Sequence, residues 1–334
     1  MNIMLNTACN QRCPYCFARD VPIACQNGAG EEMHLENVKT LISLFKAWDI
    51  RCFRILGGEP TLHSRFREII GLVQASGFPI RLFTNGIMDR ETVDFLAGRE
   101  GIDYTMNHND PAFYAALPVD PTPRIRYFLE RCGKNVQLGV NIYTCHFEGQ
   151  FLLDRIKEYN LDKHIRIGFA LPIPTLDAPA VNTYLPIEDY RQVIPGLMEF
   201  SRACDREGIG WTFDCGMPLC VFTNEEYGEL IYNVRALHQT TCRPIIDIGP
   251  DLTAWYCFVM SGMSNDRKIT DFQTSQDLFD YFEKKFAKFK TIGAMDKCFH
   301  CRYLKRGQCN GGCLGHVINK FKRAKPRNRS DDPA

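Results

Sequence analysis

Cys9-Asn10-Gln11-Arg12-Cys13-Pro14-Tyr15-Cys16-Phe17 sets three thiols at C-x₃-C-x₂-C spacing. Thiolates are the ligands of iron–sulfur cubes, which normally take four. Three from one loop leave one iron open to a ligand that is not protein, and a redox-active cube can pass an electron into it. Tyr15, just before the last thiol, is placed to cover one flank of such a cube. The bland alternative is a zinc knuckle or three buried thiols. Zinc prefers four closed ligands in tetrahedral geometry. No fourth Cys or His follows at knuckle spacing, and the next thiol is Cys25.

The rest of the composition agrees with that reading. The 334 residues suffice for one barrel-sized domain and a smaller one. A formal net charge of +1 provides no field for nucleic acid or an anionic membrane. No apolar run approaches the roughly 20 residues that span a bilayer. Met1-Asn2-Ile3-Met4-Leu5 lacks the basic start and long apolar core of a secretory signal. Sixteen cysteines in a secreted chain would suggest disulfides; without an export signal they point to metal in a reducing cytoplasm low in oxygen.

Outward from the thiol loop, apolar runs alternate with helical periodicity. Strands are expected at Ile3–Leu5, Cys52–Leu56, Ile80–Phe83, Tyr104–Met106, Val136–Ile142 and Ile165–Ala170, with one more at Ile209–Phe213. Between them, helical spacing covers Leu35 to Trp48, Phe66 to Val73, Glu91 to Leu96, Arg124 to Arg131 and Phe151 to Tyr159, and Tyr190 to Glu207 follows the sixth strand. Such alternation implies a parallel sheet with right-handed crossovers, with chemistry beyond the carboxyl ends of the strands. Gly57-Gly58-Glu59-Pro60 and Thr84-Asn85-Gly86 stand at such ends, as do Asn107, late in the fourth strand, and Asn141, late in the fifth. Two glycines let backbone approach a ligand closely, and Glu59 can accept a charged hydrogen bond from an ammonium. No GxGxxG or P-loop occurs, which excludes dinucleotide and nucleoside triphosphate fingerprints.

From about Cys215 the alternation stops and thiols become dense: Cys215, Cys220, Cys242, Cys257, Cys298, Cys301, Cys309 and Cys313. Ile245–Ile248 and Leu252–Cys257 around Gly249-Pro250-Asp251 predict a hairpin. Ser275 is the expected cap of a helix to Lys290. The expected organisation is a barrel over 1–214, a cysteine-rich unit over 215–319 and a solvated charged tail over 320–334.

The first loop, the GGEP segment and the TNG segment together resemble the radical S-adenosylmethionine (radical SAM) superfamily, whose loop is C-x₃-C-x-aromatic-C. The resemblance implies an α/β fold, an incomplete (β/α)6 TIM-like barrel. It implies that Cys9, Cys13 and Cys16 hold a 4Fe-4S cluster whose open iron binds the amino and carboxylate groups of SAM. Tyr15, Gly57, Gly58, Glu59, Pro60, Thr84 and Asn85 would line the SAM pocket, with Asn107 and Asn141 as ribose and carboxylate contacts and Leu171 beside the adenine. Reductive cleavage of SAM would then give methionine and a 5′-deoxyadenosyl radical that abstracts hydrogen from an unactivated C–H bond.

The later thiols resemble the SPASM domain of many radical SAM enzymes, which carries two auxiliary 4Fe-4S clusters. This chain departs from it in two ways: Cys301 and Cys309 are separated by seven residues rather than five, and no thiol follows Cys313. By position, Cys220, Cys242, Cys257 and Cys313 are expected at the nearer auxiliary cluster, and Cys298, Cys301, Cys309 and Cys215 at the farther one. The rivals are a single cluster on Cys242, Cys257, Cys298 and Cys301, as in the twitch form, and a zinc ribbon. Auxiliary clusters favour net oxidation of a substrate radical.

Relatives of this kind mostly modify peptides or proteins, as sulfatase-maturating enzymes and maturases of ribosomal peptides do. The first strand begins at residue 2 or 3, so a leader-binding domain is not expected and a separate protein would present a leader. A small-molecule substrate, dehydrogenated or epimerised as in aminoglycoside pathways, uses the same motifs; there Cys145 would donate hydrogen. A low-potential donor such as flavodoxin or ferredoxin is implied. A non-catalytic metal scaffold is the reading from another class, and it has no use for GGEP and TNG. His108, His146, Glu148 and Asp214 are expected near the strand mouth, where they are candidate substrate contacts against the plainer reading as ordinary loop polar groups.

Overall fold

Short apolar strands with polar or glycine-rich ends, each feeding an amphipathic helix, build one curved sheet. The computed structural model describes residues 1–16, 32–175, 180, 182–233, 236–237, 240–263 and 266–323. Phe17, Cys25 and the tail from 324 onward lie outside the described residues.

The strands are β1 (Asn2–Met4), β2 (Phe53–Leu56), β3 (Ile80–Thr84), β4 (Ile102–Asn107), β5 (Val136–Ile142), β6 (His164–Phe169), β7 (Gly210–Phe213), β8 (Ala236–Leu237), β9 (Asp247–Ile248) and β10 (Ala254–Trp255). The helices are α1 (Leu35–Ala47), α2 (Phe66–Ala75), α3 (Arg90–Ala97), α4 (Pro111–Ala115), α5 (Thr122–Cys132), α6 (Gln150–Tyr159), α7 (Tyr190–Glu207), α8 (Asn224–Tyr232), α9 (Ser275–Lys290), α10 (Arg302–Lys305) and α11 (Leu314–Arg323). The sheet order is β10-β9-β1-β2-β3-β4-β5-β6-β7-β8, parallel throughout except for the β9–β10 hairpin. The two end strands do not pair with each other, so the barrel is open.

The period-2 pattern decides which face each side chain takes. Phe53 and Ile55 are buried, and Phe53 meets Phe45 of α1 at 5.0 Å between ring centroids. Arg54, between them, faces the interior, where it and Arg166 lie over the Phe83 ring at 5.4 and 5.1 Å. Arg166 and Phe83 belong to strands three apart in the sheet, so they meet across the barrel. Arg81 contacts Asp103 at 3.2 Å, and Arg166 pairs with Asp214. The barrel floor is therefore a polar, charged layer around Phe83, not an apolar one.

Several expectations need correction. The hairpin is real but short, and β9 pairs in parallel with β1, so the barrel's own sheet continues into the cysteine-rich region. The cap of α9 is Thr274, not Ser275: its hydroxyl accepts from Asp277 N while the Asp277 side chain accepts from Thr274 N, a reciprocal capping box. Residues 320–323, expected in the charged tail, belong to a helix. Lys320 belongs to α11 and pairs with Asp296, so the first of those charges are helical. No helix among the described residues is long and apolar enough to cross a membrane.

Candidate functional site: a thiol loop held by GGEP and TNG

The thiol loop leaves β1 and is fastened before its first cysteine. Asn6, fully buried, donates from Nδ2 to the Glu59 carbonyl at 3.0 Å. Gly58 N donates to Asn6 O at 2.8 Å, and Glu59 N to Ala8 O at 2.7 Å. A Cβ on Gly57 would come within 2.3 Å of Asn6 Oδ1, and one on Gly58 within 2.2 Å of Ala8 O. The two glycines therefore admit the chain's own Asn6–Ala8 stem. The N–H of Gly58 is taken by that stem and is not left for a ligand.

Glu59 is equally occupied. It is fully buried, and its carboxylate accepts from Thr61 Oγ1 at 2.8 Å, Thr84 Oγ1 at 3.0 Å and Asn85 N at 2.9 Å. Burial pushes its pKa up, and these hydrogen bonds pull it back. Pro60 is buried at the start of the turn Pro60–Leu62. Asn85 carries the connection onward: its Nδ2 donates to Asn10 Oδ1 at 2.8 Å and lies 3.8 Å from Cys9 Sγ, and Asn10 Nδ2 donates to Ile87 O. GGEP, TNG and the thiol loop thus form one hydrogen-bonded lattice.

A second chain of polar groups crosses the strand ends. Asn141 Nδ2 donates to Asn107 Oδ1 and Asn107 Nδ2 to Tyr15 Oη, both at 2.8 Å; Tyr15 Oη also meets Asn109. Asn109 Nδ2 lies 4.0 Å from Cys13 Sγ. The Tyr15 ring packs against Tyr143 at 4.9 Å, and Cys13, Tyr15 and Ala170 form a small buried group with Cys16 and Tyr184 at its edge. Leu171, buried, has its carbonyl held by Asn182 Nδ2 at 2.9 Å. Sequence reasoning missed Asn6, Asn10 and Asn109. The visible signal was the density of asparagine around the first two thiols and after β4.

The three thiols sense one another. Burial first, then the charges of Glu59 and Cys16, push Cys9 up to about 11. Burial, then Cys16, push Cys13 up to about 11. Clustered thiols partly withdrawn from water resist ionisation unless a cation neutralises them, and a coordinating metal deprotonates them outright. Gln11 N already points at Cys9 Sγ at 3.4 Å, a contact of the kind that tunes cluster sulfurs. The donor set fits a thiolate-bound cube. Among the described residues no three His, Cys, Asp or Glu side chains converge as a site for a single metal ion. A cube differs in taking its thiolates at separate irons.

Residues 3–108 match the model of the Radical SAM superfamily. The chain carries a radical SAM domain. A GTP 3′,8-cyclase of Chlorobaculum tepidum is 27% identical over 154 residues, 45% of this chain and 45% of that protein. The chain thus spans less than half the length of this curated relative. In fold, the crystal structure of Streptococcus suis SuiB bound to S-adenosylmethionine matches 98% of this chain and 75% of its own, with TM-score 0.64 and 19% identity. Native anSMEcpe with bound AdoMet matches 96% of this chain and 94% of its own, with TM-score 0.63 and 17% identity. At these identities the likeness establishes the fold, a mixed α/β, mostly parallel TIM-like barrel, and the radical SAM superfamily implies SAM and a 4Fe-4S cluster.

Behind the radical SAM domain the thiols fall into two groups. Cys215, Cys242, Cys257 and Cys313 lie in one another's fields: burial, then Cys313, Asp214 and Cys242, push Cys215 well up, and burial, then Cys313 and Cys242, do the same to Cys257. Gly315 N points at Cys313 Sγ at 3.4 Å, and Tyr256 Oη lies 3.7 Å from Cys242 Sγ. The sequence expectation placed Cys220 in this group and Cys215 in the other. Cys215, two residues past the end of β7, lies in the fields of Cys313 and Cys242, whereas Cys220, on the next turn, lies in those of Cys298 and Cys309.

His108 is also corrected. It lies buried against Tyr114 and Phe151, outside the barrel mouth, and burial pushes it down to about 3. Asp214 is engaged by Arg166, and His146 and Glu148 form an exposed pair at 3.0 Å. Cys145 is exposed on the loop after β5.

Proposed function

We propose that this chain is a radical SAM oxidoreductase that modifies a peptide or protein side chain. One observation carries the reading: a first loop of three thiols is backed by two further groups of four, in a fold matched over nearly its whole length by SuiB. SuiB has also been solved bound to its precursor peptide SuiA, and anSMEcpe with AdoMet and the Kp18Cys peptide. In this proposal Cys9, Cys13 and Cys16 hold a cube with an open iron, and the Asn141–Asn107–Tyr15 row, Thr84–Asn85 and the GGEP backbone line the SAM pocket. Leu171 closes it on the adenine side. Residues 1–214 form the radical SAM barrel and 215–319 the auxiliary region, as two cubes rather than a twitch-type single cube or a zinc ribbon.

When bound, the cube and SAM supply a 5′-deoxyadenosyl radical. The chain orients SAM, excludes water from the strand mouth and offers the auxiliary thiols as ligands for clusters that would accept the substrate radical's electron. A flavodoxin or ferredoxin is the electron donor we propose. A separate leader-binding protein and a cytoplasmic location complete the proposal.

A second reading, the same chemistry on a small molecule, is favoured by the GTP 3′,8-cyclase relatives. The test is anaerobic reconstitution followed by reduction with SAM. Deoxyadenosine should form, and replacing Cys9, Cys13 and Cys16 with Ala should abolish it while auxiliary iron remains. Incorporation of substrate deuterium into deoxyadenosine, screened over peptides and nucleotides, separates the two readings.

A further inference from the structure

The turn Leu219–Val221 lies against the last thiol segment of the chain. Lys297 Nζ donates to the carbonyl of Cys220 at 3.3 Å, next to Cys298. A Cβ on Gly312 would lie 3.5 Å from Pro218 Cγ, so the stretch before Cys220 packs on the Gly311-Gly312 turn. The Cys220 thiol itself interacts with Cys298 and Cys309, and Cys298 with Cys301 and Cys309.

The segment is built around those sulfurs. Gly293 and Gly311, both at positive φ, press on Cys298, where Cβ atoms would lie 2.7 and 3.0 Å from its Sγ. Gly311 N points at Cys309 Sγ at 3.2 Å. Asn310 turns the other way: its Oδ1 accepts from Cys242 N at 2.6 Å. The Gly311-Gly312 turn therefore sends Cys309 to one group and Cys313 to the other. Cys298, Cys301 and Cys309 thus stand together, with Cys220 in the field of two of them. A fully ligated cube takes four.

We propose that Cys220 is the fourth thiolate of the outer iron–sulfur cube, with Cys298, Cys301 and Cys309, and that Cys215 serves the inner one with Cys242, Cys257 and Cys313. This rests on the proposed auxiliary clusters. It gives the outer cube a ligand from the turn just after the barrel's last long crossover, so one cube staples that turn to the chain's final segment. It also sets the outer cube near the surface, since Cys220 is exposed and Phe299, between two of its ligands, is 77% exposed.

The test is anaerobic reconstitution of the full chain and of Cys220→Ala, Cys220→Ser, Cys215→Ala and, as control, Cys52→Ala. Iron and sulfide per chain, Mössbauer and EPR spectra and SAM cleavage are read for each. The wild type should hold about twelve irons, four per cube. Cys220→Ala should lose about four, or keep the outer cube as a three-iron centre, while SAM cleavage and the signal removed by Cys215→Ala both persist. Cys220→Ser should keep the iron with altered EPR, since an oxygen replaces a sulfur ligand, which separates ligation from misfolding. Cys52→Ala should match the wild type. Wild-type iron and spectra in Cys220→Ala, or loss of the same signal in Cys220→Ala and Cys215→Ala, overturns the assignment. Zinc in place of auxiliary iron in the wild type overturns the underlying reading instead, before any variant is compared.

Discussion

The carboxylate of Glu59 accepts a hydrogen bond from the backbone N–H of Asn85 at 2.9 Å, inside a site with no exposure of Glu59 to solvent. The same carboxylate holds Thr61 and Thr84. Asn85 in turn reaches Asn10 and the Cys9 sulfur. Glu59→Ala strands several buried donors, each costing about 1–3 kcal/mol. Their sum, partly relieved by relaxation, should destabilise the fold by roughly 3 kcal/mol. Glu59→Gln keeps an acceptor and should cost about half as much. Thermal unfolding under anaerobic conditions measures both. Equal stability of the Ala variant and the wild type would show that this lattice does not hold the loop.

Gly58 tests the loop's stem. Its missing Cβ would sit 2.2 Å from Ala8 O and 2.5 Å from Thr7 O, both backbone atoms with no rotamer to yield. Gly58→Ala should therefore displace the loop that begins at Cys9. The expected result is loss of about four irons and of SAM cleavage, with auxiliary iron unchanged. Normal iron and normal cleavage would mean the stem can shift without moving the thiols.

What could be read from the chain beforehand follows the range of the interactions. Val136–Ile142 and Tyr190–Glu207 have the expected bounds because an apolar period and local helix ends define them. The α9 cap missed by one residue because Thr274 and Ser275 are adjacent hydroxyls, and only the Asp277 reciprocity selects the first. Helix α11 was hidden because its basic residues read as tail, although Val317 and Ile318 are buried. The proposed exchange of Cys215 and Cys220 was not accessible from spacing. It depends on β9 joining β1, a pairing between residues about as distant as Asn2 and Asp247, and on the turn at Gly311-Gly312.

The Asn141–Asn107 row can be disturbed without touching a thiol. Gly168 stands opposite Asn141 on β6, and a Cβ there would lie 2.5 Å from Asn141 Oδ1. Gly168→Ala should push that amide off Asn107 and leave iron content unchanged. If the row contacts SAM, losing one or two hydrogen bonds should weaken SAM binding about tenfold. Titrating SAM into the reduced protein and following the EPR change of the first cube measures it. Unaltered affinity would remove Asn107 and Asn141 from the pocket.

Asp247 predicts a pH dependence in the joint between β1 and β9. Its carboxylate is buried and accepts from Asn2 Nδ2 and Phe258 N, both at 2.6 Å. Burial raises it from 3.8 to about 6, against the pull of those bonds. A raised folded value means that the fold prefers the protonated acid. The stability contributed is therefore complete below the unfolded value near 3.8 and is lost as pH rises through about 6. Asp247→Asn is neutral throughout, and Asn2 Oδ1, which has no partner, can turn to accept from the new amide. The variant should thus gain on the wild type as pH rises from 4 to 7, by up to about 2–3 kcal/mol, the linkage value of a shift of this size, and most of that gain should fall below pH 6. Anaerobic thermal melts of both proteins across that range decide it. Parallel melting curves at every pH would mean that Asp247 is already ionised without penalty where the hairpin meets the barrel.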